Sequence, residues 1–181
     1  MYKGITHQYP LTGKEFLISE YLRGVEAFGE HLGPIFIQLH DKFQQRASLF
    51  KFLESLPAGY PFFLEVRHPE LLTNSALFDY LHSKNIGTVI TDTAGRKDCL
   101  HMHLTIPKIM IRFVVNDHPT DEKRIHDWAT KFKVWLDQGI QEIYFFIHFE
   151  EESITLDIAK LAVDTFNSKC GEMIPKLEFL S

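Results

Sequence analysis

The sequence predicts an α/β fold of the TIM-type (β/α) barrel kind, with about five parallel strands and outer helices. Three observations carry that expectation. Apolar runs rich in β-branched and aromatic residues recur along the chain, too continuous for strands with one wet face. Helical patterns separate them, so strand and helix alternate over short connections, as βαβ units require. Counting by twos, each strand carries a polar or charged residue on one face near its carboxyl end. An open doubly wound sheet concentrates such groups at one switch point, whereas a barrel collects them from every strand at its C-terminal rim.

The elements follow in order. Residues 13–31 place Phe16, Leu17, Tyr21, Val25 and Phe28 at helical spacing. "GPIFIQLH" then predicts a buried strand over 35–39, introduced by Gly33 and Pro34. Residues 46–55 group Leu49, Phe50 and Leu53 on one helical face, and "YPFFLEVRH" predicts the second strand over 61–66. Residues 70–83 group Leu71, Phe78 and Leu81, and "IGTVITDT" predicts the third strand over 87–91. "KIMIRFVV" predicts the fourth over 108–114, and a helix over 120–137, capped by Thr120, aligns Ile125, Trp128, Phe132 and Trp135. "EIYFFIHFE" predicts the fifth strand over 142–148, followed by a helix over 153–169 with Ser153 as its cap and Gly171 past its end.

Composition narrows the function classes. The chain has 181 residues and is 45% hydrophobic, which predicts one domain, 1–181, with a substantial core. Its formal net charge of -5 offers no basic field for nucleic acid. Cys99 and Cys170 lie far apart without paired spacing, so neither a disulfide framework nor a thiolate zinc site is expected, and a reducing cytoplasm fits best. No stretch has the length and apolarity of a signal peptide core or a membrane span.

The most informative segment is "PFFLEVRHPELL", residues 61–72. Phe63, Glu65 and Arg67 share one strand face, so two opposite charges stand together at the end of an apolar run. A purely structural ion pair there gains little, because desolvation offsets most of the attraction. His68 precedes Pro69 and is therefore extended, pointing into the loop beyond the strand. Equivalent positions elsewhere are Gln38, Asp92, Arg112 and His148. Arg112 sits among apolar neighbours and needs a partner, with Glu65 and Asp92 the obvious carboxylates; its planar fork also suits a carboxylate or phosphate ligand. Asp92 reads either as a turn-forming residue or as a site carboxylate, and Arg96 and Lys97 follow it on a glycine-bearing loop that can approach an anion. His101 and His103 alternate in a way that permits chelation, and Glu65, Asp92 and His148 have acceptable ligand types for a divalent ion, without any HExxH or CxxC spacing.

The motifs resemble, in order, those of the YecE-like family, the domain of unknown function numbered 72. "EVRHPELL" resembles the family's Glu-x-Arg-His-Pro signature, "GITH" (4–7) its Ile-Thr-His, and "LGPIFIQL" its Leu-Gly-Pro strand ending in Gln. "TDTAGRKDCLHM", "IRFVVNDHPTD" and "IYFFIHFEEES" extend the resemblance over nearly the whole chain. It implies a TIM-barrel-like fold and brings no assigned activity. Where many members have Arg-Leu-His-Gly, this chain has Arg112, Phe113, Val114 and Val115, and near His148 many have Phe-Asn-Asn. The family domain carries strands ahead of Ile-Thr-His, so the resemblance implies a truncated domain lacking its first two or three strands.

The leading functional expectation is an acid/base enzyme acting on a small anionic, phosphorylated or carboxylated substrate at the C-terminal mouth of the barrel. Glu65, Asp92 and His68 are its candidate catalytic residues, and His7, Gln38, Arg67, Arg96, Arg112 and His148 its candidate binding residues. Two alternatives stand beside it. One is a barrel that binds a ligand or nucleic-acid end without turnover; the other is a metal-dependent hydrolase using the same acidic residues. No cofactor is required by the first reading, and a divalent metal belongs to the last. Unpaired sheet edges predict self-association, with Phe36, Tyr144 and Phe146 exposed.

Overall fold

The computed structural model describes residues 1, 3–6, 11–149, 155–171 and 174–175. The chain forms two compact units, Met1–Ile90 with His101–Ile106, and Thr91–Leu100 with Pro107–Ser181. Strand and helix alternate along it as in a TIM-type barrel, with five parallel strands where a closed barrel of that type has eight.

The first unit contains α1 (Lys3–Thr6), α2 (Glu15–Val25), β1 (Ile35–Gln38), α3 (Arg46–Glu54), β2 (Phe62–Glu65), α4 (Pro69–Leu72), α5 (Ser75–Ser83) and the start of β3 (Gly87–Thr93). β1 pairs parallel with β2, aligning Phe36 with Phe63 and Gln38 with Glu65. β2 pairs parallel with β3, aligning Phe63 with Gly87. That alignment explains the glycine: a Cβ on Gly87 would stand 2.4 Å from the Phe63 ring, itself wholly buried. The helices bury short stripes, Leu49, Phe52 and Leu53 from α3 and Leu77 and Leu81 from α5. Each such side chain stabilises the fold by about 1.5–3 kcal/mol.

Three local expectations change here. The helix over 13–31 ends at Val25 and tightens into a 3-10 segment, Glu26–His31, broken at Gly29, which has φ +53°. Its buried stripe is Ile18 and Leu22, while Phe16 and Phe28 are 74% and 60% exposed. Two apolar stripes run along this helix, and burial selects the one that periodicity did not favour. The helix over 70–83 is two helices, because Asn74 is extended and restarts the second one. Thr120 precedes the helix Asp121–Asp137 without a side-chain cap; Asp121, 4% exposed, instead accepts the His118 N–H.

The second unit contains the end of β3, then β4 (Lys108–Val115), α6 (Asp121–Asp137), β5 (Glu142–Phe149) and α7 (Thr155–Cys170). β4 and β5 pair parallel from Lys108 with Glu142 to Val115 with Phe149. α6 buries Ile125, Trp128, Phe132 and Trp135, the stripe its spacing predicts. Phe132, Phe145 and Phe166 meet at centroid distances of 4.9–5.7 Å and knit α6, β5 and α7 together. Gly171, at φ +96°, ends α7 as expected, its N–H returning to Asn167 O. Ser153 lies outside the described residues.

Candidate functional site

In the first unit the candidate residues converge on Arg67. Glu65 ends β2 with no exposed surface, and its Oε1 accepts from Arg67 Nε at 2.7 Å. Arg67 Nη1 donates to Asp41 Oδ1 at 3.0 Å. Gln38, aligned with Glu65 across the β1–β2 ladder, turns its amide oxygen to Arg67 and accepts from Nη2 and Nη1 at 3.1 and 3.2 Å. The Arg67 side chain is 17% exposed and its Asp41 partner 52%. Burial works against the guanidinium's charge, but Glu65 and Asp41 outweigh it and hold the Arg67 pKa above its ordinary value. The period-two alternation of β1 and β2 puts Gln38 and Glu65 on one face, which is why the sequence pattern found them.

His68 is extended before Pro69, as expected. Its Nε2 lies 2.7 Å from the Gln44 amide nitrogen. His7 lies outside the described residues. The His-x-His pair does not form a chelate: His101 Nε2 addresses Val89 O at 3.1 Å, and His103 stacks on Phe78 at 3.9 Å. Burial, above all, pushes the His101 pKa down to about 4.

In the second unit Asp92 anchors a buried ion network. Its side chain is 4% exposed; Oδ1 accepts from Lys97 Nζ at 2.9 Å and Oδ2 from Trp128 Nε1 at 2.8 Å, while Arg124 Nη1 forms an ion pair with Oδ2 at 3.2 Å. Arg124, 7% exposed, also donates to Asp92 O, Val114 O and Asp121 Oδ1, and its Cζ lies 4.2 Å from the centroid of the Phe113 ring. Burial raises the Asp92 pKa, but the Lys97, Trp128 and Arg124 contacts prevail and hold it below the usual carboxylate value. Arg124 and Asp121 were not singled out by sequence, and Trp128 was read only as part of the apolar stripe of the helix. Their spacing on α6 reads as an ordinary amphipathic helix, and only its packing brings Arg124 to the end of β3.

The loop cations meet carboxylates of the protein itself: Lys97 pairs with Asp92, and Arg96 grips Asp98 with Nε and Nη2 at 3.0 and 3.1 Å. Arg112 is half-buried on the β4 face that also carries Met110 and Val114, aligned with Phe146 on β5. His148, aligned with Val114, is exposed. Among the described residues no group of three His, Cys, Asp or Glu side chains is placed to hold a metal ion. No described helix is long and apolar enough to cross a membrane.

Residues 1–176 match the family described as protein of unknown function DUF72. The UPF0759 protein YecE of Escherichia coli K12 is 28% identical over 173 residues, covering 80% of this chain and 61% of that protein. The protein of the same name from strain O157:H7 matches equally. The chain thus spans 61% of the length of the curated relatives it matches. Among solved structures, a DUF72 family protein of Thermotoga maritima superposes with a TM-score of 0.67 at 18% identity, covering 92% of this chain and 70% of that one. Another, from Enterococcus faecalis, gives 0.66 at 17%, covering 96% and 73%. At those identities the likeness is one of fold.

Proposed function

We propose that this chain, which belongs to the DUF72 family that residues 1–176 match, is an acid/base enzyme acting on a small anionic substrate. The observation that carries this reading is the state of Arg67. It is fixed by fully buried Glu65 on one side, while on the other, among the described residues, it meets Asp41, 52% exposed, and the neutral Gln38. A carboxylate or phosphate can take Asp41's place on Nη1 without disturbing the Glu65 pair, since Nε and Nη1 are separate donors. Glu65 is the proton-transferring group in this reading. It ends a parallel strand of a TIM-type fold, where such folds place their catalytic residues. Gln38 orients the guanidinium, and His68 stands in the loop beyond. In the second unit, Arg112 is the candidate anion contact on β4, and His148 lines the same face. Asp92, with its donors on both oxygens, holds its own segment in place.

A hydrolase built on a resident divalent ion is less favoured, since the described carboxylates and histidines form no ligand set. Binding of a nucleic-acid end without turnover is disfavoured by the net charge of -5.

Thermal-shift titration against phosphorylated and carboxylated metabolites tests the proposal. Ligands of one class should raise the melting temperature of the wild type. Arg67→Lys, which loses the planar fork, should abolish the shift, and Glu65→Gln should keep binding while losing turnover of that ligand. A shift that survives in Arg67→Lys, or no shift with either class, overturns it.

A further inference from the structure

The Arg67 nitrogen offered to a substrate anion already carries a carboxylate, and that carboxylate is the protein's own. Asp41 Oδ1 accepts from Nη1 at 3.0 Å. Asp41 lies in the turn that follows β1. The turn closes on itself: the Phe43 N–H donates to His40 O at 2.9 Å, and the Lys42 N–H reaches His40 Nδ1 at 3.2 Å. It is also tied down on both sides. The Leu39 N–H donates to Glu65 O at 3.2 Å, and the Leu39 and Phe43 side chains are buried. The backbone of Asp41 is therefore held, and its side chain leaves Arg67 by rotating about its own bonds.

The two carboxylates on Arg67 are not equivalent. Glu65 is wholly buried, so separating it from Arg67 leaves a desolvated charge behind. Asp41 is half in water, where an ion pair adds little and breaking it costs little. Asp41 is the partner that an incoming anion displaces.

Charge decides which anion. Glu65 and Asp41 set two carboxylates on one guanidinium. A monocarboxylate in Asp41's place keeps that count and offers Nη1 the same kind of acceptor. A phosphate monoester carries about −1.5 to −2 near neutrality, and so adds negative charge beside buried Glu65. The cations that flank the turn, Lys42 and Arg46, are exposed, and Arg46 Nη2 donates to Glu70 O at 3.2 Å.

Resting on the reading of Arg67 as the anion contact, we infer that the ligand is a monocarboxylate and that Asp41 is its built-in competitor. Asp41 holds Nη1 until the ligand's carboxylate takes it, and the affinity observed is lowered by the share of molecules in which Asp41 is in place.

Titration of the full chain with acetate and with inorganic phosphate tests this, followed by NMR near neutral pH with ionic strength matched by chloride. Asp41→Ala clears the competitor and should bind acetate roughly two- to fivefold more tightly than the wild type, the factor set by a half-exposed ion pair. Phosphate should bind both proteins more weakly than acetate. Adding Arg67→Lys to Asp41→Ala should abolish acetate binding. If Asp41→Ala does not fold, Asp41→Asn, which keeps the shape and loses the charge, decides by the same titration. Equal or weaker acetate binding by the variant would make Asp41 a plain ion-pair partner and overturn the inference. A preference for phosphate, or acetate binding by neither protein, would overturn it too. Acetate binding that survives Arg67→Lys would strike the reading of Arg67 itself, whereas equal affinities with Arg67 intact strike only the competitor.

Discussion

Replacing Arg124 by Met tests the second unit's ion network most directly. Methionine keeps much of the apolar stem that packs against Phe113 but removes the guanidinium. Its Nη1 and Nη2 contacts to Asp92, Val114 and Asp121 disappear, at distances from 2.6 to 3.2 Å. Asp121 is left 4% exposed with only the His118 N–H, and Asp92 falls back on Trp128 and on Lys97, whose side chain is 58% exposed. Removing one partner of a buried pair costs about 3–5 kcal/mol, because the remaining charge stays desolvated. For a chain of this size that is a fall of about 10 °C in melting temperature. The pH dependence supplies the sign. Asp92's folded pKa lies below its unfolded value, so its contribution is present above the unfolded pKa and is lost as pH falls through the folded one. Urea denaturation of wild type and variant should therefore differ most near neutrality and converge in acid, as the Asp92 carboxylate protonates. A loss below about 1 kcal/mol at neutral pH would show that the network is not desolvated as described, and its assignment would fail.

Gly87→Ala should cost about 1–3 kcal/mol by denaturant unfolding, since the new methyl meets a Phe63 ring that has nowhere to move; Phe63→Leu in the same chain should recover part of it. His101 has a folded pKa of about 4 against an ordinary 6.5, so its neutral form is favoured by folding. Its contribution is complete above pH 6.5 and is lost as pH falls toward 4, about 3 kcal/mol in all, and His101→Gln should flatten that part of the stability profile. Converting Phe16, 74% exposed, to Lys should leave the unfolding free energy within about 0.5 kcal/mol of wild type; a large loss would place that ring in contacts the structure does not contain.

All five strands were legible in the sequence, because a strand covered on both faces must be continuously apolar and a side chain's face is set by counting in twos. That rule placed Arg67 within reach of Glu65, and the β1–β2 register then set Gln38 beside Glu65. Helices were read less well where two stripes compete. α2 offers both Leu17–Tyr21 and Ile18–Leu22, and local periodicity has no means of ranking them until a packing surface exists. The electrostatic partners were the least legible. Arg67 to Asp41 spans 26 positions, Arg124 to Asp92 spans 32, and Lys97 closes on Asp92 only through a turn. Within a helix Arg124 is one charge among many, Asp121, Glu122, Lys123 and Asp127 included. It becomes a buried guanidinium only because the stripe of Ile125, Trp128 and Phe132 docks α6 and carries the neighbouring position inward. The sequence by itself determined which residues are strand and helix and which face each strand residue takes, because those follow from bonds and periods within a few positions. Only the tertiary structure decided which charges are partnered, since burial and distance between remote residues are properties of the packed chain and leave no local trace.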